Sequence, residues 1–193
     1  MAKQGASRGA LKERKDDLHE THPIAVQSLL RVEELSPFIW EPCAGRGAIS
    51  RVLIEAGYHV RATDLVPYEG ADPYIETSID FLMEMRAPAK GCTIVTNPPY
   101  KLADQFIRHG LNLGCPVIVL LRLMAIEGMN RSDINDNYLY RIWAGIERLP
   151  MMHRDGWEGP KIDTSGVPFG WFVYLPRPRG DAPIELRRMS WRS

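Results

Sequence analysis

Between residues 37 and 123 strand-like and helix-like segments alternate, and no other feature constrains the fold as much. "PFIWEP" reads as a short apolar strand, and "AGRGAISRVLIEAG" as a glycine turn with a helix closed by Gly57. "YHVRATDL" is a strand ending in an acid, "SIDFLMEM" opens a short helix, and "CTIVTN" is a strand. "LADQFIRHGLNLG" is a helix and "CPVIVLLRL" a long buried strand. Parallel strands need such crossovers, so this order builds βαβ units and a parallel sheet.

The ends differ. Residues 1 to 18 are polar and mixed in charge, and read as a flexible arm or frayed helix. In "PIAVQSLLRVEEL", Ile24, Leu29, Leu30 and Val32 fit an amphipathic helix with Pro23 in its first turn. After about residue 145, "GIERLPMM" and "FGWFVYLP" suggest a hairpin that adds one antiparallel strand. Residues 19–193 read as one α/β domain, with no repeat and no linker.

Composition narrows the function classes. The 24 Lys and Arg balance the 24 Asp and Glu, so any nucleic-acid footprint is local. Cys43, Cys92 and Cys115 are odd in number and lack a C-x-x-C pair, which argues against a disulfide framework or zinc site. No apolar run approaches a membrane span and no signal-peptide core is visible, so a cytoplasmic protein is expected. His19 and His22 lie three apart without a third ligand nearby, so no metal is expected. Met151, Met152 and His153 read as core and strand end, and Trp40, Trp143 and Trp171 as core.

"EPCAGRGAIS" sits at the first strand-to-helix junction. Gly45 and Gly47 let the backbone approach a ligand, and the next helix offers free N–H groups. Ser50 replaces the third glycine of a dinucleotide fingerprint, while Asp64 ends the next strand where ribose hydroxyls can be accepted. The pattern suits a nucleoside better than a pyrophosphate. Glu41, ahead of the glycines, suits a cationic group. A G-x-G alone is also what any tight βα turn needs.

With these residues the chain resembles the Rossmann-like S-adenosylmethionine-dependent methyltransferases, and within them the enzymes acting on the N6 amine of adenine. "EPCAGRG" is similar to their cofactor loop, "ATDL" to their ribose-binding acid, "SIDFL" to their cofactor-adenine position and "NPPY" to their catalytic loop. "THPIAVQSLL" is similar to the segment that opens many members, with His22 in place of a proline. The match runs from about residue 21 to 124. The resemblance implies a three-layer α/β sandwich on a mostly parallel seven-stranded sheet, with the antiparallel strand in the C-terminal hairpin. It implies S-adenosylmethionine as cofactor and S-adenosylhomocysteine as product. It sets Thr21, Glu41, Pro42, Cys43, Ala44, Gly45 and Gly47 around the methionine part and Asp64 on the ribose. Leu65, Asp80 and Phe81 then border the adenine. Asn97, Pro98, Pro99 and Tyr100 become catalytic, with Asn97 also facing the cofactor. For Asp80 a plain helix N-cap is an open alternative.

The chemistry fits "NPPY". An exocyclic amine on a purine is a poor nucleophile because its lone pair is delocalised into the ring. Two acceptors on its hydrogens localise that pair, and positioning supplies part of the rate. Asn97 and Pro98 each precede a proline and are pushed to extended geometry. Neither Pro98 nor Pro99 has an N–H, so the loop offers the Asn97 side-chain oxygen and the Pro98 carbonyl without competing donors. Tyr100 offers a face on which a flipped base can stack, worth about 1–3 kcal/mol.

The substrate class is less constrained. DNA adenine is the first reading. Protein glutamine and RNA base amines are alternatives, and an inactive cofactor-binding or nucleic-acid-binding module is the non-enzyme one. Glutamine enzymes generally carry a folded domain before the cofactor loop, whereas about 36 residues precede the first strand here. No large target-recognition insert is visible, so a partner protein or shorter pieces must supply specificity. Those pieces are "MAIEGMNRSDINDNYLYR", the hairpin loop with Arg154, Trp157 and Lys161, and the tail with Arg187 and Arg188. The tail reads equally as a phosphate-contacting patch or as an edge strand guarded by charge.

Overall fold

The computed structural model describes residues 18–150 and 166–192. The proposed arm, the hairpin-loop residues Arg154, Trp157 and Lys161, and Met151, Met152 and His153 lie outside them, Leu18 excepted. Helix α1 (Pro23–Val32) starts where His22 caps it, with Nδ1 accepting from Ile24 N at 3.2 Å. Burial lowers the His22 pKa, which favours the neutral ring this cap requires. The helix buries Ala25, Val26 and Leu29, while Ile24, Leu30 and Val32 pack at the margin.

Strand β1 (Phe38–Glu41), helix α2 (Ala48–Glu55) and strand β2 (His59–Asp64) form the first expected βαβ unit. β3 (Glu76–Thr77) is only two residues long, and the segment expected as a short helix is a single 3-10 turn, Phe81–Met83. β4 (Thr93–Thr96), α3 (Ala103–Asn112) and β5 (Val117–Arg122) follow as expected. All of β5 is buried except Arg122, as suits a strand covered on both faces. One face holds α1 and α2 over Ile39, Val95, Ile118 and Trp171. The other holds α3 and the short helix α4 (Ser132–Tyr138) over Ile94, Val117, Val119 and Phe172. The sheet is thus the middle of three layers.

The second half corrects two expectations. The strand expected in "GIERLPMM" lies earlier, as β6 (Leu139–Gly145), and pairs antiparallel with β7 (Phe169–Tyr174). The reason is side-chain alternation: Ile142 and Trp143 enter opposite core layers, whereas Ile146, just after Gly145, is 52% exposed. Among the described residues the sheet also has eight strands, not seven, in the order β3-β2-β1-β4-β5-β7-β6 and then β8 (Glu185–Met189). β7 is antiparallel to both neighbours and every other pairing is parallel. The tail is therefore an edge strand, and its charged Glu185, Arg187 and Arg188 discourage further pairing. Among the described residues no helix is long and apolar enough to cross a membrane.

Candidate active site at the carboxyl ends of the strands

From β1 the chain winds first to β2 on one side, then to β4 and β5 on the other. In such sheets the crevice at this switch point, outside the carboxyl ends of the strands, is where ligands bind. A cleft of about 560 Å³ opens here, of the size that small-molecule sites have. It is lined by every residue the resemblance assigns to the cofactor except Gly47.

The glycine loop has a clear physical basis. Gly45 and Gly47 adopt φ of 58° and 95°, left-handed values that disfavour side chains. A Cβ on Gly47 would collide with the Asp72 carboxylate. Gly47 thus serves the loop's shape from behind and does not line the cleft. Gly45 N donates to Asp64 Oδ2 at 2.8 Å, and Val66 N donates to Oδ1 at 2.8 Å. Asp64 is 6% exposed; burial raises its pKa, and these N–H donors oppose the rise. Each of its oxygens keeps lone-pair capacity toward the cleft.

Glu41 differs. It is 2% exposed, and its Oε2 has no hydrogen-bond partner. Burial pushes its pKa well above the usual carboxylate range, Ser50 opposes this through hydroxyl and backbone, and the nearby Asp64 charge adds to it. Among the described residues no cation pairs with it.

The proline loop is tied down on both sides. Asn97 Nδ2 donates to Thr21 Oγ1 at 3.2 Å and to the His19 carbonyl at 3.4 Å. A carbonyl only accepts, so this contact fixes which end of the amide is nitrogen. Asn97 Oδ1 is buried without a partner. The Cys43 thiol lies 3.1 Å from Thr96 Oγ1 and 3.4 Å from the Asn97 carbonyl, which joins the glycine loop to the proline loop. The turn's own hydrogen bond, from Leu102 N at 2.8 Å, uses the Pro99 carbonyl and not that of Pro98.

Tyr100 borders a second, smaller pocket of about 170 Å³, which shares His19, Glu20, Thr21 and Asn97 with the cleft. The Arg122 guanidinium sits 4.8 Å from the Tyr100 ring centre, and the His19 ring is 5.7 Å away. Pro98 lines only a small hollow of about 20 Å³ with Asn97, Pro99, Tyr100 and His19. Phe81 is a core residue, with Trp40, Phe106 and His109 rings within 5.0 Å. Asp80 is the N-cap of the 3-10 turn, accepting from Leu82 N at 3.0 Å, and is exposed at the cleft. The cap and the cleft position coexist.

Sequence reasoning missed Arg122, His19 and Lys101 at this site. Only Arg122 left a signal, as the one charged residue of an otherwise apolar strand. Arg187 and Arg188 lie on the edge strand and line neither pocket. Arg187 is committed to Glu185 at 2.7 Å and to the Trp143 ring at 5.5 Å. Among the described residues no cluster of His, Cys, Asp and Glu is placed to hold a metal ion.

The sheet order and the switch-point cleft match a known architecture. The fold is that of the Rossmann-like methyltransferases. A Thermoplasma acidophilum protein superposes with a TM-score of 0.55 at 13% identity, over 90% of this chain and 98% of its own. A TehB-like SAM-dependent methyltransferase from Corynebacterium glutamicum gives 0.50 at 12%, over 87% and 95%. The 23S rRNA methyltransferase ErmE gives 0.51 at 17%, over 80% and 67%. No protein-family model and no curated protein matches the sequence.

Proposed function

We propose that this protein is an S-adenosylmethionine-dependent methyltransferase acting on the exocyclic N6 amine of adenine in DNA. The observation that carries the reading is Asn97: it lines the cleft, its donor end is pinned by Thr21 and His19, and its Oδ1 is buried and unpartnered. An unpaired buried acceptor costs about 1–3 kcal/mol, a cost a substrate N–H relieves.

The cleft's donor set fits the cofactor. Glu41 brings an unpaired buried carboxylate for an ammonium group, Asp64 a carboxylate for ribose hydroxyls, and Asp80 an exposed acceptor for the adenine amine. The cofactor, when bound, supplies a methyl sulfonium electrophile. The chain's task is to present the amine. Asn97 Oδ1 and the Pro98 carbonyl accept its two hydrogens, and the lone pair is localised on nitrogen. No strong base is required, because the proton leaves after transfer. Tyr100 and Arg122 border the pocket beside Asn97, a stacking surface and a cation that suit a flipped base and its phosphate.

Incubation of labelled cofactor with unmethylated DNA, RNA and cell protein in parallel tests the reading. Label on DNA adenine is the expected result. Label only in RNA moves the substrate to RNA, an outcome with a fold counterpart in ErmE. Label only in protein overturns the nucleic-acid reading.

A further inference from the structure

The second pocket holds a hydrogen-bond donor to which the methyl-transfer reading gives no task. His22 lines this pocket together with Thr21, Asn97, Tyr100 and Arg122. Its Nδ1 accepts from Ile24 N at 3.2 Å as the cap of α1. A neutral imidazole that accepts at one nitrogen carries its proton on the other, so Nε2 is an N–H donor. Burial lowers the pKa of the ring and favours that neutral form. Among the described residues no acceptor takes the Nε2 proton.

Leu120, Val167 and Phe169 give the pocket apolar walls beside Tyr100. Its volume of about 170 Å³, against about 560 Å³ for the cleft, suits one flat base rather than a whole nucleotide. The amine of adenine is flanked by two ring nitrogens, N1 and N7, and both are acceptors. Flipping the base frees N1 from its pairing partner. A base seated with its amine at Asn97 therefore brings an acceptor beside that amine. Tyr100 offers a surface for a ring face, which every base has, whereas a donor reads an edge. The segment that carries His22 is already tied to Asn97, because Thr21 Oγ1 accepts from Asn97 Nδ2 at 3.2 Å. The amide acceptor and the imidazole donor are thus held by one short stretch at the start of α1.

We propose that His22 is a specificity-determining residue: its Nε2–H donates to the ring nitrogen that flanks the target amine of a flipped adenine, while Asn97 takes the amine itself. The inference rests on the methyltransferase reading and names what its base pocket recognises. No proton changes place, since the ring stays neutral and Nδ1 stays on Ile24 N. His22 is also where "THPIAVQSLL" departs from the segment it resembles, which has a proline there. A proline at that place brings neither a side-chain acceptor for the cap nor a donor for the pocket.

The experiment is single-turnover transfer by the full chain to synthetic DNA built around an adenine that the labelling assay shows to be methylated. That one base is adenine, 1-deazaadenine or 7-deazaadenine, the last two each with C–H in place of one flanking nitrogen. One of the two analogues should react at least about tenfold more slowly than adenine in the wild type. The replacement also alters the amine's own reactivity, so the deciding quantity is how the ratio changes with His22. Asn is a good helix N-cap, so His22→Asn keeps the cap and loses the Nε2 donor. In that variant the adenine-to-analogue ratio should fall by about tenfold, with the melting temperature and cofactor affinity unchanged. His22→Gln sets an amide N–H near the place of Nε2 and gives up the cap, so it should melt lower and still discriminate. The same ratio in the wild type and in His22→Asn overturns the proposal and leaves the methyltransferase reading standing. Discrimination lost equally in both variants overturns the donor role. Absence of any transfer to DNA overturns the DNA reading, and the proposal with it.

Discussion

The two halves of the sheet treat buried polar groups in opposite ways. In the outer half, around β6 to β8, they are paired. The Glu33 carboxylate takes Arg141 Nη1 at 2.8 and 3.0 Å and Trp143 Nε1 at 2.6 Å, while Arg141 Nε reaches Glu185 at 2.9 Å. Tyr174 Oη donates to Asn135 Oδ1 at 2.9 Å. Trp191 Nε1, packed against Gly145, and Arg179 Nε are the exceptions among the described residues. In the inner half, at the carboxyl ends of β1 and β4, Glu41 Oε2 and Asn97 Oδ1 have no partner. Both line the same cleft. An unpaired buried acceptor costs free energy unless something completes it, so the paired half serves the fold, and the unpaired acceptors are what the proposed methyl transfer would use.

The sharpest way to break this contrast is Asn97→Ala. Loss of the placed acceptor should lower methyl transfer by at least about 100-fold while leaving cofactor affinity intact. Single-turnover transfer and calorimetric binding read the two quantities separately. Collapse of affinity with preserved turnover would reverse the roles assigned to the two loops.

Glu33→Ala probes the other half. It strands Arg141 and Trp143 Nε1, and should destabilise the protein by about 2–3 kcal/mol. Part of that is discounted already, because the Arg141 side chain is 25% exposed. Chemical denaturation measures the loss, and cofactor affinity at low temperature should stay unchanged. A matching loss of affinity would mean that the halves are coupled through α1.

The halves also differed in how readily the sequence could be read. Inner-half elements follow from local rules: glycines at positive φ, a Pro-Pro turn, and an acid at the end of a strand. These are spacing effects within ten or so residues, and the cleft gathers all the implied cofactor residues but Gly47. The outer half depends on pairing between distant segments. β8 joins β6 across 44 residues, and nothing local distinguishes that edge strand from a basic tail. "GIERLPMM" and "LYRIWAG" are both strand-like, and only insertion of β7 beside β6 selects the second. Arg122 over Tyr100, like Cys43 against Thr96, is a spatial contact with no sequence spacing to announce it.

Asp64→Ala sharpens the distinction within the inner half. It removes a carboxylate for ribose hydroxyls and also the staple between Gly45 and Val66. Cofactor affinity should fall at least about tenfold, or about 1.4 kcal/mol. Asp64→Asn keeps one acceptor oxygen and should recover part of the loss. Unchanged affinity in the alanine variant would remove Asp64 from the cofactor site.

Thr21 carries the smallest and most specific effect. Its side chain is buried, and its hydroxyl accepts from Asn97 Nδ2. Thr21→Val keeps the shape but removes the acceptor, leaving the His19 carbonyl as the amide's remaining anchor. The amide then loses one of the two contacts that aim its oxygen. A neutral hydrogen bond is worth about 1 kcal/mol net, so transfer should slow by about fivefold. Thr21→Ser restores the hydroxyl and should restore the rate. If Thr21 acted only through packing, valine would be the better tolerated of the two and serine the worse, so the order of the two rates decides between a hydrogen-bonded anchor and a filler of space.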